Sequence, residues 1–156
     1  ISGPVNLPAP QHTRVISILS AQDLLEQSLR LLPECDIFIA CAAVADYRPA
    51  TVTKEKIKKG PTELTLPLVQ TVDIIAEVAA SEYPVFTVGF AAETSDVLAY
   101  ARDKMRRKGL DMIIANDVSD PSIGFNSDDN AVTIVWQGGE RPLERASKSA
   151  IARQII

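Results

Sequence analysis

Apolar, β-branched residues gather along this chain in short runs that alternate with stretches of helical spacing. "RVISI" (Arg14 to Ile18), "DIFIAC" (Asp36 to Cys41), "PVFTVGF" and "LDMII" are near-continuous apolar runs, the pattern of strands buried on both faces. Between them lie helical segments. "AQDLLEQSLRLL" repeats leucine at 24, 25, 29, 31 and 32, with Ser20 as N-cap and Pro33 near its end. "VDIIAEVAASE" reads as a second helix. "SDVLAYARDKMRRKG" is a third, with Asp96 early, cations in its last turns and Gly109 at its stop. "PLERASKSAIARQII" ends as a helix. Two segments differ: "TELTLPLV" (Thr62 to Val69) and "NAVTIVWQ" alternate polar and apolar positions, and Pro67 points the first to a sheet edge.

Apolar strands alternating with helices predict an α/β, Rossmann-like, mostly parallel sheet with helices on both faces. The two alternating strands predict a separate ribbon suited to an oligomer contact. In such a sheet ligands bind beyond the carboxyl ends of the strands. Three strands here exit into loaded turns, "AAVADYRP", "GFAAETSD" and "ANDVSDPSIGFNSDDN", which places all three on one edge.

Composition narrows the classes. The 156 residues suit a single domain (1–156) with a real core, 46% of them hydrophobic and 23% charged. A net charge of -4 leaves no general basic field, so neither nucleic acid nor an acidic membrane is expected as a partner. No apolar run reaches the roughly 20 residues of a membrane span. Of the two cysteines, Cys41 lies in an apolar run and reads as a buried, inert thiol, which fits the cytoplasm. With His12 the only histidine, a His-based triad or a zinc site is not expected, and no residue is assigned as a metal ligand. G-x-G-x-x-G is absent, and "ISGPVNLPAP" reads as the exit of a strand outside the sequence, so a first strand–helix unit is expected to be missing.

Candidate chemistry collects at the strand exits. Ala42 and Ala43 allow a planar ligand close to the backbone, and Asp46 can accept from an exocyclic amine; equally, Asp46 is an ordinary turn aspartate. "KEKIKK" puts Lys54, Lys56, Lys58 and Lys59 within six residues, able to converge on a polyanion or to form a solvated face. "TVDII" (Thr71, Val72, Asp73, Ile74) opens a helix whose free N–H groups suit phosphate, with Asp73 as cap or metal partner. Phe90 follows a buried strand, where it either joins the core or stacks on a base. Lys104 and Lys108 share a helix face, complementing the helix dipole or gripping a phosphate.

In order, "GPVNLP", "AAVADYRP", "KEKIKK", "VGFAAET", "ANDVS" and "GFNSDDN" closely resemble phosphopantothenoylcysteine synthetase across essentially the whole chain. Bacterial members are usually the carboxyl-terminal half of a bifunctional protein, fused to a flavin-dependent decarboxylase. The resemblance implies a CTP- and Mg²⁺-dependent ligase that activates 4'-phosphopantothenate as an acyl-cytidylate and then joins it to cysteine. It implies that Ala42, Ala43 and Asp46 contact cytosine or ribose, that Phe90 packs on the nucleotide, and that Thr71, Val72, Asp73 and Ile74 wrap it. Lys104 and Lys108 match nucleotide-contacting lysines, and Lys56 matches the catalytic one. FMN would enter only with a decarboxylase domain fused upstream. A homodimer is implied, with the alternating strands at its interface. The chain departs from the family pattern at "QTVDI", where an Asn-Pro-Asp turn is common, and its Gly-Pro-Thr-Arg motif and Asn…Ser-Ser-Gly-Lys-Met-Gly loop lie outside the sequence. The rival readings are an NAD(P)-dependent oxidoreductase and a non-catalytic nucleotide-binding module on the same fold.

Overall fold

A computed structural model describes residues 1–53, 55–60, 62–119, 123 and 127–156. Helix α1 (Ala21–Leu31) leads through a 3-10 turn, Leu32–Glu34, into β1 (Ile37–Ala40). β2 (Tyr47–Pro49), β3 (Leu68–Gln70), α2 (Ile74–Ala79), β4 (Phe86–Glu93) and α3 (Val97–Lys108) come next. β5 (Met112–Asp117), β6 (Asp129–Trp136), β7 (Gly139–Ser147) and α4 (Lys148–Ile155) complete the order. The chain divides into two compact units, one of Ile1–Ser28 with Ala42–Ile74, the other of Leu29–Cys41 with Ile75–Ile156.

The second unit is built on one sheet of order β1-β4-β5-β6-β7. β1, β4 and β5 run parallel, while β6 and β7 are antiparallel to their neighbours. Strand alternation sends Ile113 and Ile114 to opposite faces. On the first face Ile113, Ala91, Ala115 and Val135 pack with Ile75 and Ala79 of α2 and Ala101 and Met105 of α3. On the second, Ile114, Val88, Val132, Ile134 and Leu143 pack with Ile151 and Ile155 of α4. Helices therefore cover both faces of an α/β sheet, as the apolar runs require.

Local chemistry fixes the ends of the elements. The Ser20 hydroxyl accepts from the Asp23 N–H at 3.1 Å, and Asp23 accepts from the Ser20 N–H at 2.9 Å, a reciprocal cap at the start of α1. At the end of α3, Gly109 takes φ 65°, and the Gly109 and Leu110 N–H groups close onto Arg106 and Met105 carbonyls. Between β4 and β5, Asp111 Oδ2 accepts from both the N–H and the hydroxyl of Thr87, at 2.7 and 2.9 Å. Thr87 is only 1% exposed, so this carboxylate satisfies two donors that would otherwise be buried without partners.

In the first unit β2 and β3 form an antiparallel two-stranded sheet. Its pairing runs past the strand ends, with the Ala50 N–H on the Pro67 carbonyl at 2.9 Å and the Thr71 N–H on the Asp46 carbonyl at 2.8 Å.

Several expectations change. "RVISI" forms no strand; Ser17 makes an isolated parallel bridge to Ser2. β1 is not fully buried, since it takes the sheet edge and leaves Ile37 58% and Ile39 40% exposed. Cys41 is exposed as well, because the chain has left that edge strand; partial desolvation still pushes its thiol pKa up. "TELTLPLV" is a strand only from Leu68, immediately after Pro67. "NAVTIVWQ" is not set apart, for β6 lies inside the main sheet between β5 and β7. β7 itself was hidden by its charged run, "GERPLERAS", which suits a sheet edge that resists further pairing.

Candidate functional site

The parallel register of β1, β4 and β5 puts their carboxyl ends on one edge of the second unit's sheet. Ala40 lies opposite Gly89, and the last residues of β4 and β5 pair as Ala92 with Asn116 and Glu93 with Asp117. The Val118 N–H continues this pairing to the Glu93 carbonyl at 2.9 Å. The exits "GFAAETSD" and "ANDVS" are thus adjacent, as their sequence implied. Asp117 then folds the second exit back, accepting from the N–H and hydroxyl of Ser119 at 2.8 and 2.6 Å. The following residues Asp120, Pro121 and Ser122, and Gly124, Phe125 and Asn126, which open the "GFNSDDN" signal, lie outside the described residues.

Within the second unit two predicted residues meet, at mid-strand rather than at the carboxyl edge. The Lys104 ammonium, carried by α3, donates to the Phe90 carbonyl in β4 at 2.8 Å in a partly buried position. Phe90 packs against the second-face core and remains half buried, as its core reading expects. Lys108 lies one turn beyond Lys104 and is half-buried. The core stripe of α3, Ala101 and Met105, seats these lysines. A second polar contact holds the same helix: Arg102 donates to Glu140 at the start of β7, at 2.6 Å. Sequence reasoning missed Arg102 and Glu140, because "GGER" reads as a turn and the pair is 38 residues apart.

The remaining predicted residues belong to the first unit. The bond from the Thr71 N–H to the Asp46 carbonyl joins two turns that sequence had assigned separately, the small-residue turn and the helix start. Ala42, Ala43, Asp46, Val72 and Asp73 are exposed, Thr71 is half-buried, and Ile74 is buried at 7%. Lys56 is exposed on a shallow, open groove with Thr53, Glu55 and Ile57. Lys58 and Lys59 are exposed too, and Lys54 lies outside the described residues. The site residues therefore fall into two groups, a backbone-and-carboxylate group with Lys56 in one unit and a lysine–aromatic group in the other.

Chemically, the first group offers a carboxylate and an exposed cation; in the second, one ammonium group is held on the Phe90 carbonyl while the Phe90 ring packs with the core of the other face.

Comparison with known proteins identifies the family. Residues 1–156 match the model of the DNA/pantothenate metabolism flavoprotein C-terminal domain, and the chain belongs to that family. It is 48% identical over 159 residues to the coenzyme A biosynthesis bifunctional protein CoaBC of Vibrio vulnificus strain YJ016, covering all of this chain and 40% of that protein. It is 50% identical over 151 residues to the Escherichia coli K12 protein of the same name, covering 93% of this chain and 37% of that protein. The chain thus spans about two fifths of the length of these relatives. A crystal structure of the C-terminal domain of CoaBC superposes with TM-score 0.79 at 34% identity, covering 98% of this chain and 67% of that one. The DNA/pantothenate metabolism flavoprotein of Streptococcus pneumoniae shares the fold with TM-score 0.77 at 21% identity. The family resemblance drawn from the ordered motifs is borne out.

Proposed function

We propose that this chain carries phosphopantothenate–cysteine ligase activity, with CTP as co-substrate, in coenzyme A biosynthesis. The observation that carries the reading is the match of the whole chain to the C-terminal part of the bifunctional proteins, together with a residue inventory suited to a nucleotide. In the first step a carboxylate oxygen of 4'-phosphopantothenate attacks the α-phosphorus of CTP, and pyrophosphate leaves. In the second the amine of cysteine attacks the acyl carbon, the amide forms and CMP leaves. Negative charge concentrates on the transferred phosphate and on the acyl oxygen, so fixed cations and N–H donors lower both barriers.

Residue roles follow from chemistry. Asp46 accepts from the cytosine amine, and Ala42 and Ala43 leave room for the base plane. Thr71, Val72, Asp73 and Ile74 present the backbone of a turn to the nucleotide, and Phe90 packs on it. Lys104 and Lys108 balance the phosphates. Lys56, on an exposed segment, closes over the activated phosphate and neutralises the acyl transfer. Mg²⁺ supplies further charge neutralisation on the triphosphate. Among the described residues no three His, Cys, Asp or Glu side chains gather as a metal-holding group.

The reading includes a cytoplasmic homodimer. Exposed Leu64, Leu66 and Leu68, at 73%, 55% and 54%, support a partner surface on the alternating segment. Among the described residues no helix is long and apolar enough to cross a membrane. FMN belongs here only through a decarboxylase domain fused upstream. No observation favours the oxidoreductase or the non-catalytic module.

Isothermal titration of the full-length protein with CTP and Mg²⁺, beside ATP and NADP, tests the reading. CTP binding that weakens in Phe90→Ala supports it. Tight NADP binding with no CTP binding would overturn it.

A further inference from the structure

Helix α3 rests on the sheet through a narrow stripe, Val97, Ala101 and Met105, one residue wide at each turn. A single row of side chains with alanine at its centre restrains rolling of the helix less than its sliding. Polar contacts supply what it lacks. Residues 102 and 104 are two apart, about 200° around the helix at about 100° per residue, and so lie on opposite flanks of the stripe. Lys104 reaches down on one flank to the Phe90 carbonyl in β4, 2.8 Å away. Arg102 reaches down on the other to Glu140 in β7, 2.6 Å away. In the sheet β5 and β6 lie between those two strands, so the restraints are set wide apart. Glu140 is itself placed by its pairing with Val135, a fully buried residue of β6. The other charged residues of this part of α3 pair among themselves, Asp103 with Arg107 at 2.8 Å and with Arg106 at 3.7 Å, and do not compete for Glu140.

We infer that the Arg102–Glu140 ion pair is a positioning device for the nucleotide's phosphates: it sets the roll of α3 and thereby the places of Lys104 and Lys108. This rests on the ligase reading above, in which those lysines balance the phosphates. Neither Arg102 nor Glu140 touches substrate; both act through the helix. The pair is about two-fifths exposed on each side, so its effect is modest and confined to affinity.

The test is steady-state kinetics of the full-length enzyme carrying Arg102→Gln, Glu140→Gln, or the exchanged pair Arg102→Glu with Glu140→Arg, beside thermal unfolding of each. In each single variant KM for CTP rises about two- to fivefold, the range open to an exposed ion pair. kcat and KM for cysteine stay at wild-type values, and the exchanged pair recovers KM for CTP. CTP-dependent turnover with an unaltered KM in both single variants overturns the inference alone. So does a lowered unfolding midpoint with no change in KM, which marks a purely structural pair. A wild-type enzyme without CTP-dependent turnover overturns the ligase reading and this role together.

Discussion

Lys56 lies, with Lys58 and Lys59, on an exposed segment where no strand or helix is assigned among the described residues between 50 and 67. A group that must close over a reacting phosphate belongs on such a segment rather than on a rigid strand. Replacing Lys56 by glutamine keeps the segment's size and removes the charge. The expected result is a fall in kcat of about 10²-fold, the usual loss for one transition-state donor, with KM for CTP changed far less. Single-turnover rates measure this directly. Phe90 answers a different question, that of binding: Phe90→Ala should weaken CTP about tenfold, within the range of one base–aromatic contact, as read by titration. A third residue reports on folding. Hydrogen bonds from the Leu19 N–H, from the Ser20 hydroxyl and from the Ser20 N–H hold the Asp23 carboxyl below its ordinary 3.8. A depressed folded pKa stabilises above the unfolded value and is lost as pH falls through the folded one. The cap of α1 should therefore hold at neutral pH and open only below about pH 3.8, with the Ser20 amide shift in a nuclear magnetic resonance titration moving in step. Asp23→Asn should abolish that transition.

At the scale of elements, the strand exits were legible because parallel sheets demand near-continuous apolar runs, and β4 and β5 supply them. β1 misled for the same reason: "DIFIA" has the composition of a central strand but lies at an edge, and nothing in five residues reports on neighbours. β7 failed in the opposite direction, since a charged, Pro-containing run carries no apolar period yet pairs with β6 through most of its length. Asp46 and Thr71 were read separately because their link depends on the β2–β3 register, which a few exposed residues cannot specify. Signals that depend on local backbone chemistry did better. Gly109 was read as a helix stop, and its φ of 65° explains why. Gly109→Ala should cost about 1–2 kcal/mol through the left-handed penalty, measured by denaturant unfolding. The tie between β4 and β5 carries a comparable prediction: Asp111→Ala strands two donors of the buried Thr87 and should cost about 1–3 kcal/mol. A change near zero in either variant would contradict the assignment.

At the scale of the whole molecule, an α/β sheet and two groups of predicted site residues occur in a chain of the DNA/pantothenate metabolism flavoprotein family, whose relatives are named for coenzyme A biosynthesis. The order of the motifs along the chain made the family legible, since each is weak by itself and six in sequence are not. What the sequence could not convey is how the second group is held, because α3 is fastened by residues from β4 and β7 that no local pattern connects. The central claim is that the chain makes an amide by way of a cytidylate, and pyrophosphate is the product that reports the first step. The decisive measurement is pyrophosphate release by the full-length protein given 4'-phosphopantothenate and CTP with Mg²⁺, with and without cysteine, in wild type and in Lys56→Gln. The account predicts release that requires both substrates, CMP appearing in step with amide once cysteine is added, and loss of turnover in Lys56→Gln. Release that is indifferent to phosphopantothenate, or full activity in Lys56→Gln, would contradict it.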